Sequence, residues 1–297
     1  MPAESSLAAL SILRNFDNAT IYEEPYPYIV IKDALPSDLY ETLESTFPDP
    51  ELVINGREVK DTWYDYPACN VIEDTRLTDL WQDFFRYHVS GEFYRELVQK
   101  LGPQILDLHP DLEAKVGKNL SDFAVGMRPG GRGNPFADNA DISMECQFYV
   151  NLTRQPRAVR GPHVDRPTEL FAGLLYFRHS DDDSTGGDLA VDRLSDPTVL
   201  QTETRLRIDR LPMEVGKECV TVCNTVEYAP NTLVLFLNSA RSIHEVTPRS
   251  PTDIPRRHIN FCGDITHDLF ELDIPMRLRL KDSLSRAPVL WRLADRL

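Results

Sequence analysis

The chain has 297 residues, with 32 Lys and Arg against 47 Asp and Glu, a formal net charge of −15 at pH 7. Binding a nucleic-acid backbone relies on clustered Lys and Arg that displace counterions, and neither this balance nor any basic stripe supplies them. The hydrophobic fraction of 41% is that of a folded globular chain, and no uninterrupted apolar run reaches the roughly 18 to 20 residues that cross a membrane.

Leu7 to Leu13 is a short apolar stretch that follows Glu4, where an export signal carries Lys or Arg, so an amphipathic lead-in is expected there. YIVIKDAL, Tyr28 to Leu35, predicts a buried strand. Pro36 and Ser37 then open a helix on which Leu35, Leu39, Leu43 and Phe47 recur four apart. From Arg76 to Leu101 the residues Leu77, Leu80, Trp81, Phe84, Phe85, Phe93, Leu97, Val98 and Leu101 recur at helical intervals, with Ser90-Gly91 as a break. Two helices or one kinked helix, packed on a sheet, are expected. RPGGRGNP, Arg128 to Pro135, lacks the Lys-Ser or Lys-Thr of a phosphate loop and predicts a mobile surface loop or a cover over a pocket.

Beyond residue 140 the pattern changes to strands between turns. CQFYVNL (Cys146 to Leu152), ELFAGLLYF (Glu169 to Phe177), GGDLAVDRL (Gly186 to Leu194), ECVTVCNTV (Glu218 to Val226), NTLVLFLN (Asn231 to Asn238) and RHINFCGDI (Arg257 to Ile265) are rich in β-branched and aromatic residues. Such a series predicts a mainly β chain with flanking helices and a sandwich or jelly-roll core. The last thirty residues predict helix again around Pro288. One domain over 1–297 is expected: a helix-rich amino-terminal buttress (1–139), a β core (140–265) and a helical tail (266–297).

Five cysteines, an odd number without framework spacing, fit reduced thiols and a cytoplasmic location. Cys219 and Cys223 are expected on one strand face without the two further ligands zinc needs, so they are packed or idle thiols. The run Asp181 to Asp188 (DDDSTGGD) has no calcium-loop pattern and predicts a solvated hairpin.

GPHVDRP places His163 and Asp165 two apart, and on a strand such residues face the same side, so an imidazole and a carboxylate can converge on one metal ion. Eighty-one residues later His244 stands just beyond a strongly hydrophobic strand. Two histidines and one carboxylate on one face of a metal, with other positions open, are the ligand set of non-haem Fe(II) oxygenases. Twelve residues after His244, Arg256 can stand on the next strand and pair with a carboxylate through two hydrogen bonds.

In this order and spacing the sequence resembles the Fe(II)- and 2-oxoglutarate-dependent oxygenases of prolyl-hydroxylase or phytanoyl-hydroxylase type. The segments FAGLLYF, STGGDL and LVLFLNSARSIHEVTPR are similar to those of bacterial members, and the resemblance covers about residues 145 to 265. It implies a double-stranded β-helix (jelly roll, cupin-like) core. His163, Asp165 and His244 would be the iron ligands, and Arg256 the anchor for the distal carboxylate of 2-oxoglutarate. Arg257 is the alternative anchor; Arg256 is preferred because the family's aliphatic residue three positions on is matched by Ile259. The implied reaction is oxidative decarboxylation of 2-oxoglutarate to succinate with O2, coupled to hydroxylation of an unactivated C–H bond, with ascorbate as an auxiliary reductant. Asp165 stands where related halogenases carry Gly or Ala, which favours hydroxylation; desaturation, epoxidation and ring formation stay open.

Gln147, Tyr149 and Asn151 alternate with apolar neighbours, so this row either lines the interior near 2-oxoglutarate, with Tyr149 the best candidate to touch it, or forms a solvated face. Asn238 and Arg241 either contact substrate or shape the turn before His244. His88, His109, His179, His258 and His267 are expected at the surface or as satisfied core residues. The expected substrate is a small molecule, with no nucleic acid and no membrane involved. A peptide side-chain hydroxylase is the nearest alternative, and a catalytically silent jelly-roll binding module is the alternative of a different class. The oligomeric state is left open.

Overall fold

A computed structural model of the chain describes residues 7–276 and 278, apart from 61, 131–135, 153–159, 203 and 209–212. The amino-terminal part forms strands β1 (Thr20–Tyr22), β2 (Tyr28–Lys32) and β3 (Trp63–Pro67). It also forms helices α1 (Ser37–Ser45), α2 (Pro50–Ile54), α3 (Ala68–Val71), α4 (Asp79–His88), α5 (Gly91–Leu108) and α6 (Leu112–Val116). The remaining strands are β4 (Val125–Met127), β5 (Ile142–Asn151), β6 (Glu169–Tyr176), β7 (Leu189–Leu194), β8 (Leu200–Thr202), β9 (Arg205–Arg207), β10 (Val220–Val226), β11 (Thr232–Leu237), β12 (His244–Val246), β13 (Arg256–Ile265) and β14 (Glu271–Asp273).

The Ser90-Gly91 break is a cap. Ser90 Oγ accepts from the backbone N–H groups of Glu92 and Phe93, which would otherwise lack partners at the start of α5, and Thr78 Oγ1 does the same for Trp81 in α4. The chain therefore makes two helices.

An eight-stranded sheet runs β1-β2-β11-β6-β13-β5-β3, with β4 parallel to β5 and every other pairing antiparallel. A second sheet is β10-β7-β12, and a third is β14-β9-β8. The large sheet starts at residue 20 rather than 140: β1, β2 and β3 join it from the segment expected to supply mainly helices. β1 and β3 lie at its two edges and are held by backbone pairing, which needs no long apolar run.

Period-two alternation gives the large sheet two different faces. Ile29, Leu233, Leu235, Leu175, Ile259, Phe261 and Phe148 pack with Trp81, Phe84 and Phe85 of the helices. Ring centroids of 4.7 Å for both Trp81–Phe148 and Phe85–Phe148 mark the contact. On the other face Tyr28, Ala172, Tyr176, Val234 and Phe236 pack with Leu189, Val191 and Val226 of the second sheet. The site described below lies between these two sheets. His88 is a satisfied core residue: Nδ1 donates to Phe84 O, Nε2 accepts from Ile12 N, and burial pushes its pKa down to about 3. The Leu7 to Leu13 lead-in is thereby fixed, with Leu10, Ile12 and Leu13 in the core. The tail beyond 278, expected to be helical, lies outside the described residues.

On the far side of the second sheet Asp192 is 0% exposed, and neither carboxylate oxygen has a hydrogen-bond partner. Burial, then Glu245, raises its pKa from 3.8 to about 7. Because the folded value is raised, the unfolded state ionises first as pH rises. The folded state is thus penalised increasingly from about pH 4 upward, to a plateau above pH 7. Asp192→Asn is expected to gain about 1 to 3 kcal/mol of unfolding free energy at pH 8 and nothing at pH 4. Urea melts at the two pH values test this, and an equal gain at both would refute it.

Candidate metal centre

His163 and His244 meet through the backbone: each N–H donates to the other's carbonyl at 3.0 Å, an isolated antiparallel bridge that extends the second sheet beyond β12. Directly opposed residues project to the same side, and the two imidazole centroids lie 4.3 Å apart. Both rings are oriented alike. His163 Nδ1 is 2.8 Å from Gly161 O and His244 Nδ1 is 3.0 Å from Ser242 O. A carbonyl only accepts, so each Nδ1 carries the proton and each Nε2 lone pair is available to a metal.

Asp165 faces both lone pairs, with Oδ1 3.9 Å from His163 Nε2 and Oδ2 3.7 Å from His244 Nε2. Two donors each about 2.1 Å from one ion lie at most about 4.2 Å apart, and these separations satisfy that limit. Burial pushes His244 down to about 4; burial, then His244 and Arg160, push His163 well below its ordinary value. Burial pushes Asp165 up, against Arg160 and Arg166. Two neutral imidazoles and a buried carboxylate are a donor set that a divalent cation satisfies. The structure thus brings together three residues that the sequence separates.

They line a cavity of about 280 Å³ whose opposite wall is the inner face of the large sheet. Alternate residues of β13, Arg256, His258, Asn260 and Cys262, line it, and opposite them on β5 stand Asn151, Tyr149 and Gln147. Tyr149 is stacked between Trp63 (5.0 Å) and His258 (4.9 Å), and burial pushes its hydroxyl pKa upward.

Arg256 and Arg257 point to opposite faces. The Arg256 guanidinium is buried in the cavity wall over the rings of Tyr176 and Tyr228, with Nε on Gly187 O (2.7 Å) and Nη1 3.1 Å from His258 Nδ1. Its Nη2 has no partner, and neither has the hydroxyl of Tyr176. Arg257 instead turns to the helices, where it pairs with Glu44 (2.6 Å), donates to Phe177 O and covers the Phe47 ring.

Gly186 and Gly187 make the Arg256 contact possible. Both have positive φ, and a Cβ on Gly186 would sit 2.0 Å from Pro248 O. Gly186→Ala is expected to cost roughly 2 to 4 kcal/mol of stability, read by denaturant unfolding; a loss below about 1 kcal/mol would mean that this turn relaxes freely.

Several expectations are corrected, and for Asn238 one of two open alternatives is met. His258, expected to be an ordinary histidine, lines the cavity and braces Arg256; its place two residues after Arg256 on one strand was the missed signal. Asn238 shapes the turn: its Nδ2 donates to Arg166 O and Glu169 O, and its backbone carbonyl meets His109 Nε2. Arg241 lines a separate, larger cleft of about 430 Å³ beside β2 and α5 that shares no residue with the metal cavity. The Asp181 to Asp188 run is not simply solvated, because Asp182 is buried against Arg249 Nη2 (2.6 Å) and Ser184. Cys219 precedes β10, and a register shift lies between Val222 and Asn224, so Cys219 and Cys223 do not share a regular strand face. Residues 131–135 of the RPGGRGNP segment lie outside the described residues, while Arg128 lines the cavity.

Arg128, Arg166 and Glu169 had no signal in the sequence. They meet at the far end of the cavity around Asp264, whose Oδ2 pairs with Arg128 Nη2 and, at 2.8 Å, with Arg166 Nη2, and whose Oδ1 accepts from Thr168. Glu169, Cys262 and Asp264 also lie within metal-ligand reach of one another. The two guanidinium groups already neutralise Asp264 and so take the place a cation would fill there.

No family model matches the sequence, and no curated protein matches it. Among solved structures the chain is similar to a prolyl-4-hydroxylase from Pseudomonas putida, at 14% identity over 87% of this chain and 100% of that one, with a TM-score of 0.40. It is also similar to a prolyl hydroxylase from Trichoplax adhaerens in complex with a hypoxia inducible factor peptide fragment (13%, 88% and 90%, TM-score 0.39). A third is a 2OG-Fe(II) oxygenase family oxidoreductase from Burkholderia pseudomallei (11%, 90% and 93%, TM-score 0.37). At these TM-scores the overlap carries no weight of its own, and function rests on the site.

Proposed function

We propose that the protein is an iron(II)- and 2-oxoglutarate-dependent oxygenase that hydroxylates an unactivated C–H bond of a small molecule, built as one domain on a double-stranded β-helix. The observation that carries this is the convergence of His163, Asp165 and His244 at one wall of a cavity that also holds the unpartnered Arg256 Nη2. Bound iron(II) supplies the activation of dioxygen, with 2-oxoglutarate decarboxylated to succinate. The chain's own residues bind and orient. Gly161 and Ser242 carbonyls fix both imidazoles with Nε2 toward the metal. Arg256 Nη2 and the Tyr176 hydroxyl are two buried donors without partners, suited to the distal carboxylate of 2-oxoglutarate. His258 Nδ1 faces Arg256 Nη1, a group that only donates, so that imidazole is neutral and holds its proton at Nε2. Burial and Arg256 keep it so.

A cavity of about 280 Å³ that must admit both 2-oxoglutarate and substrate supports a small substrate. The five cysteines are free, in keeping with a reducing compartment such as the cytoplasm. No helix among the described residues is long and apolar enough to cross a membrane. The test is succinate formation from 2-oxoglutarate with added Fe(II) and ascorbate, abolished by chelator. Metal-loaded protein that consumes no 2-oxoglutarate, with or without metabolite extracts, would instead leave a silent binding module.

A further inference from the structure

The cavity end opposite Arg256 holds a carboxylate that its surroundings leave half used. Glu169 is 7% exposed and lines the cavity. Its Oε2 receives only a 3.2 Å contact from Arg166 Nη2, which lies closer to Asp264 (2.8 Å). Glu169 Oε1 accepts no hydrogen bond from any described residue. Arg128, a further guanidinium on the cavity wall, is also committed to Asp264. A carboxylate oxygen that opens on the cavity without a protein donor is available to a charged N–H group of a ligand.

The neighbouring wall suits the same ligand: Asn260 and Gln147, paired across β13 and β5, add two side-chain amides. Iron(II) and 2-oxoglutarate cancel in charge when both are bound, so they leave this end unchanged. The net charge of −15 draws cations toward the protein rather than anions.

We propose that the substrate carries a protonated amine, received by Glu169 Oε1 at the end of the cavity away from Arg256. This rests on the oxygenase function proposed above and names its substrate class. Protein loaded with Mn(II) and 2-oxoglutarate is titrated with n-butylamine, piperidine and L-leucinamide, each beside its N-acetyl derivative, reading the paramagnetic broadening of the probe's proton resonances. The amines are expected to broaden at roughly ten- to a hundredfold lower concentration than their acetylated partners, and Glu169→Gln to reduce that preference below about threefold. Acetylated probes that bind as well as the amines, or a preference that survives in Glu169→Gln, overturn the proposal. So does 2-oxoglutarate that is itself broadened while no amine is. The wild-type comparison decides even if the variant does not fold. If Mn(II) does not broaden 2-oxoglutarate at all, the oxygenase assignment fails, and this inference with it.

Discussion

His244→Ala is expected to weaken Fe(II) binding by at least about a hundredfold and to abolish metal-dependent succinate formation. Losing a hydrogen bond behind a metal ligand already costs about ten- to a hundredfold in affinity, and here the ligand itself is lost, leaving Asp165 with one imidazole. His244 also has little freedom to be replaced by a neighbour, because its position is set by two backbone hydrogen bonds to His163 and its ring by Ser242 O. Those backbone bonds survive the substitution, so the apo fold should persist. Metal binding only to the folded state raises the melting temperature; the wild type should show that rise with Co(II) or Mn(II) and the variant should not. Wild-type metal affinity in His244→Ala would remove the basis for the site.

Arg256→Ala is expected to weaken 2-oxoglutarate binding by at least about thirtyfold, because truncating one partner of a buried charge pair costs about 2 to 5 kcal/mol. The guanidinium is 4% exposed, and two of its three nitrogens are already held by Gly187 O and His258, so the third is pre-aimed and pays little ordering entropy on binding. Arg257→Ala should do the reverse. It removes the Glu44 pair and the contact over Phe47, at a cost of about 1 to 3 kcal/mol in unfolding free energy, while 2-oxoglutarate affinity stays at the wild-type level. Fluorescence titration of 2-oxoglutarate under anaerobic conditions, beside urea melts, separates the two variants. A weakened affinity in Arg257→Ala with none in Arg256→Ala would transfer the anchor to the other residue.

Much of the β framework was legible in the sequence because it is written in local periodicity. All six segments expected beyond residue 140 overlap observed strands, and the Ser90 cap separates two helices where the turn residues stand. The short edge strands β1 and β3 were not legible. β1 is three residues long with no buried side chain, and β3 buries only Tyr64 and Tyr66, patterns too short to stand out along the chain, so backbone pairing with β2 and β5 places them.

The sequence by itself supplied the candidate ligand set: a His-x-Asp pair, a distant histidine after an apolar strand, and an arginine on the next strand. It also determined that Arg256 and Arg257 face opposite ways, since a strand alternates. Only the tertiary structure decided which of the two looks inward, because that depends on whether the helices or the second sheet covers a given face of β13. The same holds for the meeting of His163 with His244 across 81 residues, for Asp182 buried against Arg249, and for the charged end of the cavity at Glu169. Burial and electrostatic pairing are sums over neighbours in space, and no window along the chain contains those neighbours.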